Sequence, residues 1–191
     1  MIHRLLGILA PYVVDWIFCT GYRRQDIEEC IKFSWPAYST FHNIGEDAKM
    51  CHRIKSACRD YKVEGRILVC YADELANVDL AALETVHRMN QNDITFTTYS
   101  MRIPFGLAMP QPSGAMGIVQ PLLPVNIGFC VMEQKAVAAM RDDQDLAGFI
   151  TEYANGHYAT GAGAVGTYEH TGKRVTVNSL AEWEIAERDW A

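Results

Sequence analysis

Arg66-Ile-Leu-Val-Cys-Tyr-Ala-Asp73-Glu74-Leu-Ala-Asn77-Val-Asp79-Leu80 decides the architecture of this chain. Ile67 to Cys70 is apolar without alternation, the pattern of a strand covered on both faces, and Asp79 to Asn90 then carries the periodicity of an amphipathic helix. A strand that enters a helix through a short acidic turn puts Asp73 at its carboxyl end, where open α/β sheets bind ligands. Asp79 is expected to cap the helix.

Upstream of that stretch, Ile2 to Ala10 reads as a helix stopped by Pro11, and Val13 to Thr20 as a β-rich run closed by Gly21. Arg24 to Phe33 is helical, Tyr38 to His42 a short strand, and Ala48 to Asp60 a helix with Met50, Ile54, Ala57 and Cys58 on one side. Downstream, Ile94 to Met101 alternates Thr with apolar residues. Pro104 to Pro124, rich in Pro, Gly and Met, reads as loop and short hairpin over one edge of the sheet. Val125 to Met132 is a strand, Asp145 to Asn155 a helix and Arg174 to Asn178 a last strand. Ser179 and Glu182 form a capping box that opens the helix to Asp189. This alternation calls for a parallel sheet with right-handed crossovers, and 191 residues without repeat or low-complexity tract are expected to form a single domain, residues 1–191.

The formal charge is -6, from 23 acids against 17 bases, which argues against a nucleic-acid partner and leaves small anionic ligands open. The apolar run Ile8 to Phe18 is interrupted by Pro11, Asp15 and Trp16, so no membrane span and a cytoplasmic protein are expected. The six cysteines occur singly, without zinc-ligand spacing, and are expected to be reduced thiols, Cys19 and Cys70 packing as small hydrophobes. No Ser, His or Cys stands in a recognisable nucleophile arrangement, and His157 and His170 are expected to be structural or exposed.

Several short stretches follow one another in a telling order: Met1-Ile-His-Arg-Leu-Leu, Cys19-Thr-Gly-Tyr22, Gly45-Glu-Asp-Ala-Lys-Met-Cys-His-Arg53-Ile54, Tyr71-Ala-Asp73-Glu-Leu-Ala-Asn-Val-Asp-Leu80, Pro104-Phe-Gly106, Asn126-Ile-Gly-Phe129 and His170-Thr-Gly-Lys-Arg-Val-Thr-Val-Asn178-Ser179. In this order and spacing the chain resembles the sugar-phosphate nucleotidyltransferases, the NDP-sugar pyrophosphorylase-like cytidylyl- and guanylyltransferases. The resemblance implies an α/β fold, a Rossmann-like mixed, mostly parallel sheet flanked by helices. It implies transfer of a nucleotidyl group from an NTP, CTP or GTP favoured, to a sugar 1-phosphate with release of pyrophosphate. By resemblance Asp73 is the Mg²⁺ anchor, with Asn178 where many members place a second metal-binding Asp. Glu46, Asp47, Lys49, Tyr71 and Ala72 fall on the nucleotide side, and Phe105, Gly106, Asn126 and Gly128 on the sugar side. Mg²⁺ needs only one or two carboxylates plus phosphate oxygens, so a lone strand-end Asp can anchor it.

The chain also departs from the family pattern. The family opens on a strand and a Gly-rich phosphate loop, roughly Gly-Gly-x-Gly-Thr-Arg, followed by Pro-Lys, and these 191 residues contain none of them. That loop supplies the amides and cations that hold a triphosphate. With the central first strand absent, two unpaired edges are expected in the middle of the sheet. A start placed too far downstream, a shortened chain, or a sheet completed by a partner or in a homo-oligomer would each account for this. Val119-Gln120-Pro121 stands where the family carries Glu-Lys-Pro, Asn178 is a neutral ligand, and Ala72 replaces a Gly. Impaired catalysis is the expectation, and the alternative is a non-catalytic homologue acting as a nucleotide- or protein-binding subunit. A related glycosyltransferase would show an acid-x-acid motif, which Asp73-Glu74-Leu75 does not.

Overall fold

Residues 67–70 form the strand that their unalternated apolar run predicts, and the strand belongs to a mixed sheet. The computed structural model describes residues 2–35, 40–103, 105–156 and 164–190. In chain order the elements are α1 (Ile2–Leu9), β1 (Ile17–Cys19), α2 (Arg24–Ser34), β2 (Thr40–His42), α3 (Met50–Asp60), β3 (Ile67–Cys70), β4 (Glu74–Ala76), α4 (Leu80–Met89), β5 (Ile94–Arg102), β6 (Leu107–Pro110), β7 (Met116–Val119), β8 (Leu122–Met132), α5 (Gln134–Ala139), α6 (Leu146–Ala154), β9 (Val165–Glu169), β10 (Arg174–Thr176) and α7 (Leu180–Asp189). β1 is shorter than the run Val13 to Thr20, and β8 begins before Val125. Tyr38, Ser39, Pro104 and His157 lie outside the described residues.

The main sheet has the order β3-β8-β5-β9. β5 and β9 pair in parallel, and β3 and β5 are each antiparallel to β8, so three strands run one way and one runs against them. The parallel arrangement expected from the alternation breaks at β8 for a definite reason. The chain returns from β5 through the β6–β7 hairpin and not through a helical crossover, and a strand returned without a crossover pairs antiparallel.

Alternation along β8 sends its side chains into two separate cores. Cys130 and Met132 join Ile94 in packing against Cys51, Ile54, Phe149 and Tyr153 of α3 and α6. Ile127, Phe129 and Val131 pack on the other face against Leu5, Leu9, Leu80 and Leu83 of α1 and α4. β3 is apolar throughout because Ile67 and Val69 reach the first core while Leu68 and Cys70 reach the second.

β1 and β2 form a separate parallel pair, and β4 and β10 a separate antiparallel one. Among the described residues β1 pairs only with β2 and β3 only with β8, which leaves a free edge on each. Both strands line one cavity of about 1530 Å³, walled also by Ile31, Ile54, Ala57 and Leu83. Cys19, expected to pack as a small hydrophobe, is exposed because it faces this space. All six thiols are free.

Candidate functional site

The carboxyl end of β3 turns through Tyr71, Ala72 and Asp73 into β4. Asp73 is exposed, and its carboxylate makes no hydrogen bond or ion pair among the described residues. Its backbone is held firmly: the Val177 N–H donates to the Asp73 carbonyl at 2.8 Å, continuing the β4–β10 ladder in which Glu74 faces Thr176. Asn178, the next residue, is thereby carried to the Asp73 turn.

A buried cluster locks this pairing. Glu74, 6% exposed, accepts from Arg174 Nη2 at 2.8 Å, from Arg174 Nε at 3.2 Å and from Thr176 Oγ1 at 2.7 Å. A bidentate Arg–carboxylate pair with a third donor satisfies the acid fully, so Glu74 is a structural anchor, unavailable as a metal ligand. On the far side the expected capping box is present: Ser179 Oγ accepts from the Glu182 N–H, and Glu182 Oε2 accepts from the Asn178 N–H at 2.8 Å. Asn178 is exposed, and its side-chain amide makes no hydrogen bond among the described residues.

Asp73 and Asn178 therefore contribute one exposed carboxylate and one exposed carboxamide to the two segments that this bond joins. Among the described residues no group of three or more His, Cys, Asp or Glu could hold a metal ion. That donor set does not suit zinc, but it fits Mg²⁺, which takes one or two protein oxygens and completes its shell with phosphate oxygens and water.

Tyr71 extends the site across the sheet. Its N–H donates to the Gly128 carbonyl at 2.9 Å, and its ring lies on the Gly128 backbone, whose φ is +73°. The Gly128 N–H donates to Asn126 Oδ1 at 3.0 Å. Burial first, and then the neighbouring Cys130, Asp73 and Asp145, push the Tyr71 phenol above its usual value, so it remains a neutral donor. Ala72 sits exposed between Tyr71 and Asp73. Burial likewise pushes the Cys51 and Cys70 thiols up to about 12, which makes them inert at neutral pH.

The remaining sequence candidates are not gathered here. Glu46, Asp47 and Lys49 are exposed and do not line the cavity, whereas Arg53 does. Arg53 donates to the carbonyls of Thr20 at 2.7 Å, Glu46 at 2.8 Å, and Gly45 and Ala48 at 2.9 Å. It pins their loop to the end of β1, a role invisible in a sequence where a basic residue on a helix reads as solvated. Gly21 lies directly beneath it, where a Cβ would stand 3.0 Å from the guanidinium nitrogens. Phe105 and Gly106 are exposed at the base of the β6–β7 hairpin, with Ile118 packed over Gly106. His170 is buried and its ring meets the Lys173 carbonyl, the structural role expected of it.

No family model matches the sequence, and no curated protein matches it significantly. Solved structures do. HddC from Yersinia pseudotuberculosis is 15% identical, with a TM-score of 0.69 over 99% of this chain and 84% of that one, and it has also been solved in complex with GMP-PN. A Bacillus anthracis protein assigned as a glucose-1-phosphate thymidylyltransferase, solved with a sucrose, gives 0.70 at 15% identity over 98% of this chain and 80% of that one. The inositol-1-phosphate CTP transferase from T. maritima gives 0.69 at 11% identity over 97% and 80%. The chain shares the fold of these solved structures. Within this fold the Asp73 turn occupies the carboxyl end of β3, the side on which open α/β sheets bind ligands. No helix among the described residues is long and apolar enough to cross a membrane.

Proposed function

We propose that residues 1–191 form one cytoplasmic nucleotidyltransferase domain that joins CTP or GTP to a sugar 1-phosphate and releases pyrophosphate. One observation supports this reading: the Val177–Asp73 backbone hydrogen bond ties the segment leading to Asn178 to a strand-end turn whose carboxylate has no partner among the described residues. Asp73 and Asn178 would hold Mg²⁺, which supplies charge neutralisation at phosphate oxygens. Tyr71 and Ala72 flank the nucleotide, and Asn126 and Gly128 stand on the sugar side, where the Tyr71 ring packed on Gly128 fixes the Asn126 turn. Glu46, Asp47 and Lys49 form the rim towards the base, and Phe105 and Gly106 the rim towards the sugar. Gln120 in place of a cation and the neutral Asn178 weaken turnover.

Calorimetry with CTP and GTP, joined to a pyrophosphate-release assay over a panel of sugar 1-phosphates, tests this. Triphosphate binding should require Mg²⁺ and fall at least tenfold in Asp73→Ala, with the melting temperature unchanged because the side chain is exposed. Undiminished Mg²⁺-dependent binding in that variant sinks the assignment of Asp73.

A non-catalytic binding subunit is the second reading, and the cavity between β1 and β3 favours it. A partner strand laid there would meet two free sheet edges. Triphosphate binding without pyrophosphate release from any substrate pair selects this reading.

A further inference from the structure

The β6–β7 hairpin carries apolar side chains on both faces, and neither face is covered. Its antiparallel register sets Leu107 opposite Val119 and Pro110 opposite Met116. Leu107, Met109 and Val119 therefore point to one side, and Met116 and Ile118 to the other. Ile118 is 80% exposed and Met116 66%. Strands that are apolar on both faces belong in a covered position, and a two-stranded ribbon standing alone is marginal in water. The patch continues onto the main sheet, where exposed Met101 faces exposed Leu123 across β5 and β8.

Charge decides what covers it. From Ile103 to Met132 the sequence has no Asp, Glu, Lys, Arg or His, in a chain of net charge -6. An anionic membrane surface calls for Lys and Arg around the apolar face, and this run is bordered only by Arg102 and Glu133. A charged partner would find no counter-charge. A two-fold contact between identical copies makes the opposite demand, because any group near the axis meets its own image and like charges there repel. A charge-free apolar face meets that demand. Among the described residues each hairpin strand also has a free edge, and edge-to-edge pairing of two hairpins would build the multi-stranded sheet that one ribbon lacks. We propose that this face is the contact between two copies of the chain, an isologous dimer built on the β6–β7 hairpin. The proposal is independent of the nucleotide reading.

Sedimentation velocity on the full chain, over a range of protein and salt concentrations, tests it. The expected species has twice the 21.5 kDa mass of the monomer and tightens as salt rises, because screening weakens repulsion between two copies of charge -6 and leaves apolar burial intact. Ile118→Glu and Met116→Glu, which bring like charges face to face, should each weaken the dimer at least tenfold. Phe33→Glu, which adds the same charge at a 90% exposed residue of α2, should not. Amide exchange of the unmodified chain should slow at residues 107–119 as its concentration rises. A chain that stays monomeric throughout, or a dimer that neither hairpin substitution weakens, overturns the proposal. So does a monomer that floats with phosphatidylcholine–phosphatidylserine vesicles, which would assign the face to a membrane.

Discussion

Tyr71 lies so close to Gly128 that a β-carbon at position 128 would stand 2.6 Å from the ring Cγ. Gly128→Ala therefore combines two costs, roughly 1–2 kcal/mol for a left-handed backbone and roughly 1–3 kcal/mol for overpacking. Gly114 has a similar φ of +83° but nothing within 4 Å, so Gly114→Ala should cost about 1–2 kcal/mol only. Urea unfolding of both variants checks this. Equal losses would mean that the Tyr71 contact contributes nothing.

Glu74 and Arg174 should be the most costly charge pair to break. Their side chains are 8% and 14% exposed, and loss of one partner leaves the other buried and uncompensated, about 3–5 kcal/mol. Glu74→Ala should also release β4 from β10 and so separate Asp73 from Asn178. Mg²⁺-dependent triphosphate binding should weaken together with stability, unlike in Asp73→Ala, where stability is kept. Unchanged binding in a destabilised Glu74→Ala would uncouple the pair from the site.

Arg53 should resist conservative replacement. A single ammonium cannot span the carbonyls of Thr20, Gly45, Glu46 and Ala48, so Arg53→Lys is expected to lose about 2 kcal/mol, close to the loss in Arg53→Met. Hydrogen exchange should quicken at residues 43–49. Full stability in Arg53→Lys would show that one contact suffices.

Glu133 sets an acid limit. Burial raises its carboxyl, but hydrogen bonds from Arg66 and His87 and the charges of both outweigh this and hold it below the usual 4.5. The unfolded chain then takes up the proton first. Stability is present above that usual value and is lost as pH falls through the lower folded one. Glu133→Gln should flatten the acid branch of a stability–pH profile, and an unaltered slope would remove Glu133 as its source.

What the sequence discloses is local chemistry. The cap at Asp79 and the Ser179–Glu182 box depend on residues three apart, and both stand where the sequence puts them. The apolar run of β3 reports two covered faces, which both cores supply. β4 was not legible, because Glu74-Leu75-Ala76 becomes a strand only by pairing with β10, some hundred residues away. The short hairpin expected within residues 104–124 is present as β6–β7, but its consequence, the reversed direction of β8, was hidden by an alternation that reads as parallel. Asp73 and Asn178 stand out in the sequence only through the motifs around them. The backbone hydrogen bond between Val177 and Asp73 that ties their segments together is encoded by no spacing.

The β4–β10 ladder also sets an order of assembly. The four-stranded sheet closes with β9 at Glu169, whereas the ladder needs Arg174 to Thr176 and the site needs Asn178. During synthesis the nucleus of the fold can therefore form while Asp73 still hangs on an unanchored turn, because loop closure over such a separation is a late event. The Asp73 turn acquires its backbone partner only after Val177 has been made, so a nascent chain that stops at Glu169 would hold the sheet with that turn still untethered.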